Sequence, residues 1–312
     1  MRGRVTADGV NDLMVDKPTI RILGEGDEEA LEAFLLPRIA SSMFLLGNAR
    51  TAGLTDRGEA YQGTYAAAFA AREIVGVVAH YWNNTLILQA PAYVRELCRE
   101  AVGVSGRPLG NLIGPGEQVD IALGALGLAD AGVQLDEREK LYDLDLDELM
   151  VPHALASGQV VGRRATPGDL PLLTAWRVTY AAETLGERVT TESRARAHSS
   201  VRRLVEEGRT WVLESDGVPV ACSSFNTATE EAVQVGGVWT PPGLRSRGYG
   251  RAVVAASLLD ARAEGVETAI LFTGLENIPA QKAYGALGFR CVGTYRMVLL
   301  DPPLNTDTFE SA

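Results

Sequence analysis

The fold is decided by the stretch Val233-Gln234-Val235-Gly236-Gly237-Val238-Trp239-Thr240-Pro241-Pro242-Gly243-Leu244-Arg245-Ser246-Arg247-Gly248-Tyr249-Gly250-Arg251. Its opening residues are β-branched or aromatic and predict a strand. Gly236 and Gly237 interrupt that strand, as a bulge or a close backbone approach requires. Pro241, Pro242 and Gly243 end it. Val253, Val254, Leu258 and Leu259 then fall on one stripe of a helix. The link between strand and helix is Arg245-x-x-Gly248-x-Gly250. Glycines at a helix N-terminus leave amides uncovered where the dipole is positive, a combination suited to a phosphate or pyrophosphate.

A second motif follows about thirty residues on: Asn277-Ile278-Pro279-Ala280-Gln281-Lys282-Ala283-Tyr284-Gly285-Ala286-Leu287-Gly288-Phe289. The two motifs, in this order, resemble the GNAT (GCN5-related N-acetyltransferase) superfamily. Arg245-x-x-Gly248-x-Gly250 is similar to that family's coenzyme A pyrophosphate loop. The resemblance runs from about Val160 to Leu300 and implies a mixed α+β sheet fold.

Composition is compatible with this. The 312 residues are 46% hydrophobic and 22% charged, values of a soluble globular protein with one large or two ordinary domains. A net charge of −11 argues against nucleic acid as the main partner. Residues 1–158 hold 13 basic and 23 acidic side chains, whereas 159–312 hold 16 and 17, so the excess negative charge sits in the first half. No apolar run is expected to reach the ~18 residues of a membrane span. The first 17 residues lack a signal-peptide core, which points to a cytoplasmic protein. Cys98, Cys222 and Cys291 are far apart, so they read as reduced, buried residues with no disulfide framework and no metal site.

A repeat is hidden in the chain. Arg21, Gly26, Asp27, Leu31 and Phe34 correspond to Arg163, Gly168, Asp169, Leu173 and Trp176 at a constant offset of 142. The stretch 122–128 echoes 283–289 at an offset of 161. Each half closes on an alternating strand, 141–146 and 295–300. The chain therefore reads as two tandem GNAT-like folds: an arm 1–18, a degenerate domain 19–155, a catalytic domain 159–301 and a tail 302–312. Between Gln89 and the following helix only Ala90 and Pro91 stand where the second half has its glycine loop. Gly116 and Leu123 occupy the places of Asn277 and Tyr284. The first half keeps the scaffold and lacks the coenzyme loop.

The resemblance implies a site in the second half. Val238 and Thr240 would pair with the pantetheine, and the Val238 amide would face the thioester oxygen. Arg245, Arg247, Gly248, Tyr249, Gly250 and Arg251 would surround the pyrophosphate, and Asn277 would contact the pantetheine. Tyr284 would be the general acid that reprotonates the leaving thiolate, although its i, i+3, i+4, i+7 spacing with Ala280, Ala283 and Leu287 also suits a core position. The general base stays open. Gln234 stands where relatives carry a glutamate, and Glu183, Glu230 and Glu231 are alternatives. The helices about 169–181 and 191–207 would wall the acceptor pocket.

The function expected is direct transfer of an acetyl group from acetyl-CoA to a primary amine of a small molecule or peptide, without a metal. The alternatives are a non-catalytic acyl-CoA-binding module and an acyltransferase with a longer acyl donor. The chain would be a monomer with pseudo-dimeric halves, or a homodimer. One coenzyme A is expected per chain, and calorimetric titration checks it: two sites would show that the first half also binds.

Overall fold

The computed structural model describes residues 18–128 and 131–305. The expected arm and the end of the expected tail lie outside them. The first half runs β1 (Thr19–Ile22), α1 (Glu28–Leu35), α2 (Ile39–Ala52), β2 (Gly63–Ala70), β3 (Glu73–Tyr81), β4 (Thr85–Gln89), α3 (Val94–Ser105), β5 (Leu109–Pro115), α4 (Gly116–Ala125) and β6 (Val133–Asp145). A short helix α5 (His153–Ala156) leads to the second half. That half repeats the order with β7 (Val161–Arg164), α6 (Leu170–Leu185), α7 (Thr191–Glu206), β8 (Thr210–Ser215), β9 (Val218–Ala228), β10 (Ala232–Trp239), α8 (Tyr249–Ala263), β11 (Thr268–Gly274), α9 (Ile278–Gly285) and β12 (Arg290–Leu304).

The 142-residue repeat has a physical basis. Arg21 makes a two-pronged ion pair with Asp27 at 2.6 and 2.7 Å. Arg163 does the same with Asp169 at 2.8 and 2.9 Å. In each half the carboxylate also accepts a backbone N–H from the turn before the helix, from Gly24 or from Thr166. The clasp ties the first strand of each half to its first helix, and the paired arginine holds each carboxyl below its ordinary pKa.

All twelve strands form one sheet, in the order β1-β2-β3-β4-β5-β12-β6-β11-β10-β9-β8-β7. Exchanging the halves leaves that order unchanged, so the chain has an internal pseudo-twofold. Among the described residues only β4–β5 and β10–β11 pair in parallel. The halves are not separate sheets. Strand β6 of the first half pairs with β11 of the second, and β12 of the second pairs with β5 of the first. The axis passes between β6 and β12, where Glu139 lies opposite Tyr295. Both central strands exceed the expected 141–146 and 295–300, and β12 passes the expected boundary at 301 to end at Leu304.

Helices cover both faces, which is why the inner strands are apolar on both sides. In β2, Tyr65 and Ala67 face α1 and α2, while Ala66 and Ala68 face α3. In the second half α8 packs Val253, Val254 and Leu258 against Leu144 and Leu146, which belong to the first half. At the centre Met43 and Leu141 join Ile270 and Tyr295 in one cluster across the two halves.

Three expectations need correction. The helical stretch Glu28–Ala52 is long and apolar enough on paper to cross a membrane. Its Leu31, Phe34, Leu35, Leu45 and Leu46 are buried against the sheet. The helix α2 is an addition to the expected elements, since its apolar residues are spread around it rather than gathered in one stripe. Cys98 and Cys222 are buried, but Cys291 is exposed.

Residues 159–312 expressed alone would leave β11 without β6 and β12 with neither of its neighbours. Such unpaired edges template association. The fragment is expected to aggregate or self-associate, and light scattering of the purified fragment checks this. A well-behaved monomer would mean that the exchanged strand is dispensable.

Candidate active site

The site begins where two parallel strands part. β10 and β11 pair from Ala232↔Thr268 to Val235↔Leu271 and no further. β10 continues to Trp239 and β11 to Gly274, so their carboxyl ends diverge and leave an opening, the place where open sheets hold ligands. On its other side β10 shifts register against β9 between Gly236 and Trp239. Gly237 lies in this bulge at φ +59°, and a Cβ on Gly236 would collide with the Asn226 side chain. Only glycine satisfies both positions. Val238 and Thr240 follow directly, at the edge of the opening.

The glycine loop stands at the end of β10. Gly248 caps α8 at φ +80°, and Ser246 is also left-handed at φ +64°. The α8 N-terminus thus presents the Gly248–Arg251 backbone to the same opening. Gly250 has room for a Cβ, 3.5 Å from Thr240 Oγ1, so its lack of a side chain serves whatever approaches from outside. Arg245 is already engaged. It pairs with Glu183 at 2.6 and 3.0 Å, donates to the Thr240 carbonyl at 3.0 Å and lies over the Trp239 ring. Arg245 therefore clamps the loop to α6, and Arg247, exposed beside it, is the freer cation. Tyr249 packs on the core with Val238, and the buried Nε of Arg251 has no partner among the described residues.

From the other side of the opening comes Asn277, whereas Tyr284, on the helix that Asn277 caps, is not among the residues that line the cleft described below. The Asn277 side chain accepts the Ala280 N–H at 3.2 Å and caps α9. Asn277 also lines that cleft. Tyr284 is half-buried against Phe289. Burial, then the neighbouring Tyr180 and Glu139, raise its pKa well above that of an ordinary phenol. It stays protonated through neutral pH.

The equivalent opening in the first half is filled. β4 and β5 pair only from Thr85↔Asn111 to Ile87↔Ile113, but Leu88 packs directly on Gly114. The Ala90 N–H, which follows β4, donates to Gln118 Oε1 at 2.7 Å. Ser41 donates to Gln89 Oε1 at 2.6 Å. Groups of the chain itself thus take hydrogen bonds at the end of β4.

A cleft of about 740 Å³ runs from the opening in the second half to the junction of the halves. Gly236, Gly237 and Gln234 line it from β10, Arg177 and Tyr180 from α6, and Glu137 and Glu139 from β6. The first half therefore supplies part of the wall, which sequence reasoning missed. Glu139 has no hydrogen-bond or ion-pair partner among the described residues, and burial followed by Glu137 pushes its pKa up to about 7. The candidates for the base separate clearly. Glu183 is held by Arg245 and Glu231 by Arg50. Glu230 is exposed and outside the cleft. Gln234 is buried, with Nε2 donating to the Val235 carbonyl and Oε1 unpartnered among the described residues. Of the arginines on the acceptor side, Arg196, Arg202 and Arg203 are paired to Glu187, Glu206 and Glu207. Among the described residues no group of three or more His, Cys, Asp or Glu side chains could hold a metal ion.

Residues 173–289 match the model of the acetyltransferase (GNAT) family. A search of curated proteins found no match. Solved structures do match. A Drosophila protein superposes with TM-score 0.62 at 13% identity, over 91% of this chain and 99% of its own. A tandem GNAT protein from the clavulanic acid pathway gives 0.53 at 14%, over 90% and 98%. A GCN5-related N-acetyltransferase from Kribbella flavida gives 0.53 at 19%, over 84% and 94%. At these identities the likeness concerns the fold, and it includes the tandem arrangement.

If the α8 N-terminus receives the pyrophosphate, Gly250→Val should fold normally yet block its approach. Losing one charge-assisted hydrogen bond of ~1.5–3 kcal/mol predicts coenzyme A affinity weakened by roughly 10- to 100-fold. Gly248→Val would in addition strain a left-handed residue and lower the melting temperature. Calorimetry on the Gly250 variant checks the assignment, and wild-type affinity would remove the loop from the site.

Proposed function

We propose that the GNAT domain carried by the second half of this chain is an acetyl-CoA-dependent N-acetyltransferase acting on a primary amine of a small molecule or peptide. The observation that carries the reading is the opening between β10 and β11. It has a glycine bulge and a helix N-terminus on one side and Asn277 on the other, in a segment that matches the family model, with Tyr284 on the helix that Asn277 caps.

Each residue then has a task that follows from its position. The amides at the start of α8 would hold the pyrophosphate, with Arg247 adding charge. The backbone of Val238 and Thr240, past the point where β11 leaves β10, would pair with the pantetheine as an added strand. The Val238 N–H would face the carbonyl oxygen on which negative charge grows as the amine attacks. Gly237, where a Cβ would meet nothing nearer than 3.8 Å, would leave space for the acyl group, whereas the space at Gly236 is taken by Asn226. Tyr284, kept protonated, would give its proton to the thiolate, whose conjugate acid has a pKa of roughly 8.5. A longer acyl donor is a second reading, favoured by the pocket beside Gly237 that Leu173, Val201, Cys222 and Trp239 line. A panel of acyl-CoA chain lengths against amines, read by thiol release, tests both readings. Binding without release on every amine would favour a sensing module.

Tyr284→Phe keeps the ring and removes the hydroxyl. Turnover on the best amine should fall by ~10²- to 10⁴-fold, the span of general acid catalysis, while coenzyme affinity changes little, since the loss is felt in the transition state. Turnover within about threefold of wild type, below that span, would leave Tyr284 as a core residue.

A further inference from the structure

We infer that Glu139, carried on β6 from the first half, is the general base for the amine in the second half's site. The inference rests on the acyl-transfer reading above and assigns the residue that the reading leaves open. Two observations on geometry support it, and the electrostatics agree. First, Glu139 pairs with Gly274, the last rung of the β6–β11 ladder, beside the opening where β11 has parted from β10. Second, its side chain lines the cleft that Gly236, Gly237 and Asn277 also line. Burial first, and then the charge of Glu139, raise the pKa of Tyr180, Tyr284 and Tyr295.

Three carboxylates of the cleft, Glu137, Glu139 and Glu276, have no partner among the described residues, and Glu276 is exposed. Asp136 on the same strand is neutralised by Arg296 at 2.6 Å, and the carboxylates nearest in sequence to β10 are taken or turned away, as described above. Glu137 is also unpaired among the described residues but lies beyond the end of the β6–β11 ladder, opposite Met297. The groups around Glu139 are Glu137 on its own strand, Tyr295 on β12, Arg177 and Tyr180 on α6, Glu276 after β11 and Tyr284 on α9. This setting disfavours a second negative charge, so the carboxylate is poised to accept a proton near neutrality.

The step balances. The incoming ammonium gives one proton to the Glu139 carboxylate, and its freed lone pair forms the C–N bond to the thioester carbon. The C–S bond breaks, and the thiolate leaves with the proton that Tyr284 supplies. The amide nitrogen sheds its second proton, which restores the tyrosine. Glu139 releases its own proton to solvent, so the net products are the amide, the free thiol and one proton.

The test is Glu139→Gln in the full chain. Wild-type kcat/KM should rise with pH through an apparent pKa of about 7, where the carboxylate ionises. In the variant that limb should vanish and turnover at neutral pH fall by ~10²- to 10⁴-fold, with coenzyme A affinity unchanged. Glu137→Gln should move the limb to lower pH, because it removes a like charge. Stability separates catalysis from packing. A carboxyl whose pKa rises from 4.5 to about 7 on folding contributes stability that is present at acid pH and lost as pH rises through about 7. Above that pH the Glu139→Gln variant should therefore melt no lower than wild type. If wild type turns over an amine and Glu139→Gln does so within about threefold, below the catalytic span, or keeps the same pH limb, the assignment is wrong. Should wild type bind coenzyme A yet release no thiol with any amine, the acyl-transfer reading fails first and takes this assignment with it.

Discussion

The antiparallel pairing of β6 with β12 is the interaction on which the rest of the structure depends. A sheet edge exposes unpaired N–H and C=O groups, and each half alone would present one where β5 or β11 ends the parallel pair. The chain resolves this by exchange, so that each half receives its next strand from the other. The ladder between the exchanged strands runs from Arg290↔Asp143 to Leu300↔Val133. Further links lock it in place. Arg50 on α2 bridges Glu32 of its own half and Glu231 of the other, and Lys140 on β6 donates to Gln281 on α9. The sheet is thus one cooperative body, although the chain reads as two repeats.

The exchange is symmetric, but the two gaps are not alike. Both keep the same Arg–Asp clasp and the same parting of parallel strands. In the first half Leu88 and Gln118 close the gap, and Pro91 follows at once, with no glycine loop. In the second half the gap stays open, with Gly237 and Gly248 held at positive φ on one rim. Positive φ at these points gives a tight bulge and a bare helix N-terminus, and the Arg245 clamp on Glu183, Trp239 and Thr240 fixes the loop between them. The first half then affects the second through the strand it lends. That strand brings carboxylates from the more acidic half to a cleft whose other wall is α6.

Much of this was legible from residue order. Gly236-Gly237 predicts the bulge, because only residues without a Cβ fit there. Gly248 predicts the uncapped helix start, and the constant offset between Arg21–Asp27 and Arg163–Asp169 predicts two copies of one fold. The absence of a glycine loop after β4 could be read from Ala90-Pro91, which is too short to form one. Each of these depends on neighbours in sequence or on a spacing fixed by a single turn. The helix α2 was not legible, since its buried residues, from Ser42 and Met43 to Leu45, Leu46 and Ala49, face two cores rather than one stripe.

What the sequence determined by itself is therefore local: the strand, bulge, loop and helix of the second half, their counterparts in the first, and the family they resemble. What only the tertiary structure decided is which half each final strand completes. Strands β6 and β12 both alternate, and nothing in their composition says which edge they join, since any open edge offers the same backbone groups. The position of Glu139 follows from that choice. It lies 95 residues before Gln234 in the chain, and it lines the same cleft only because β6 crosses into the second half's sheet.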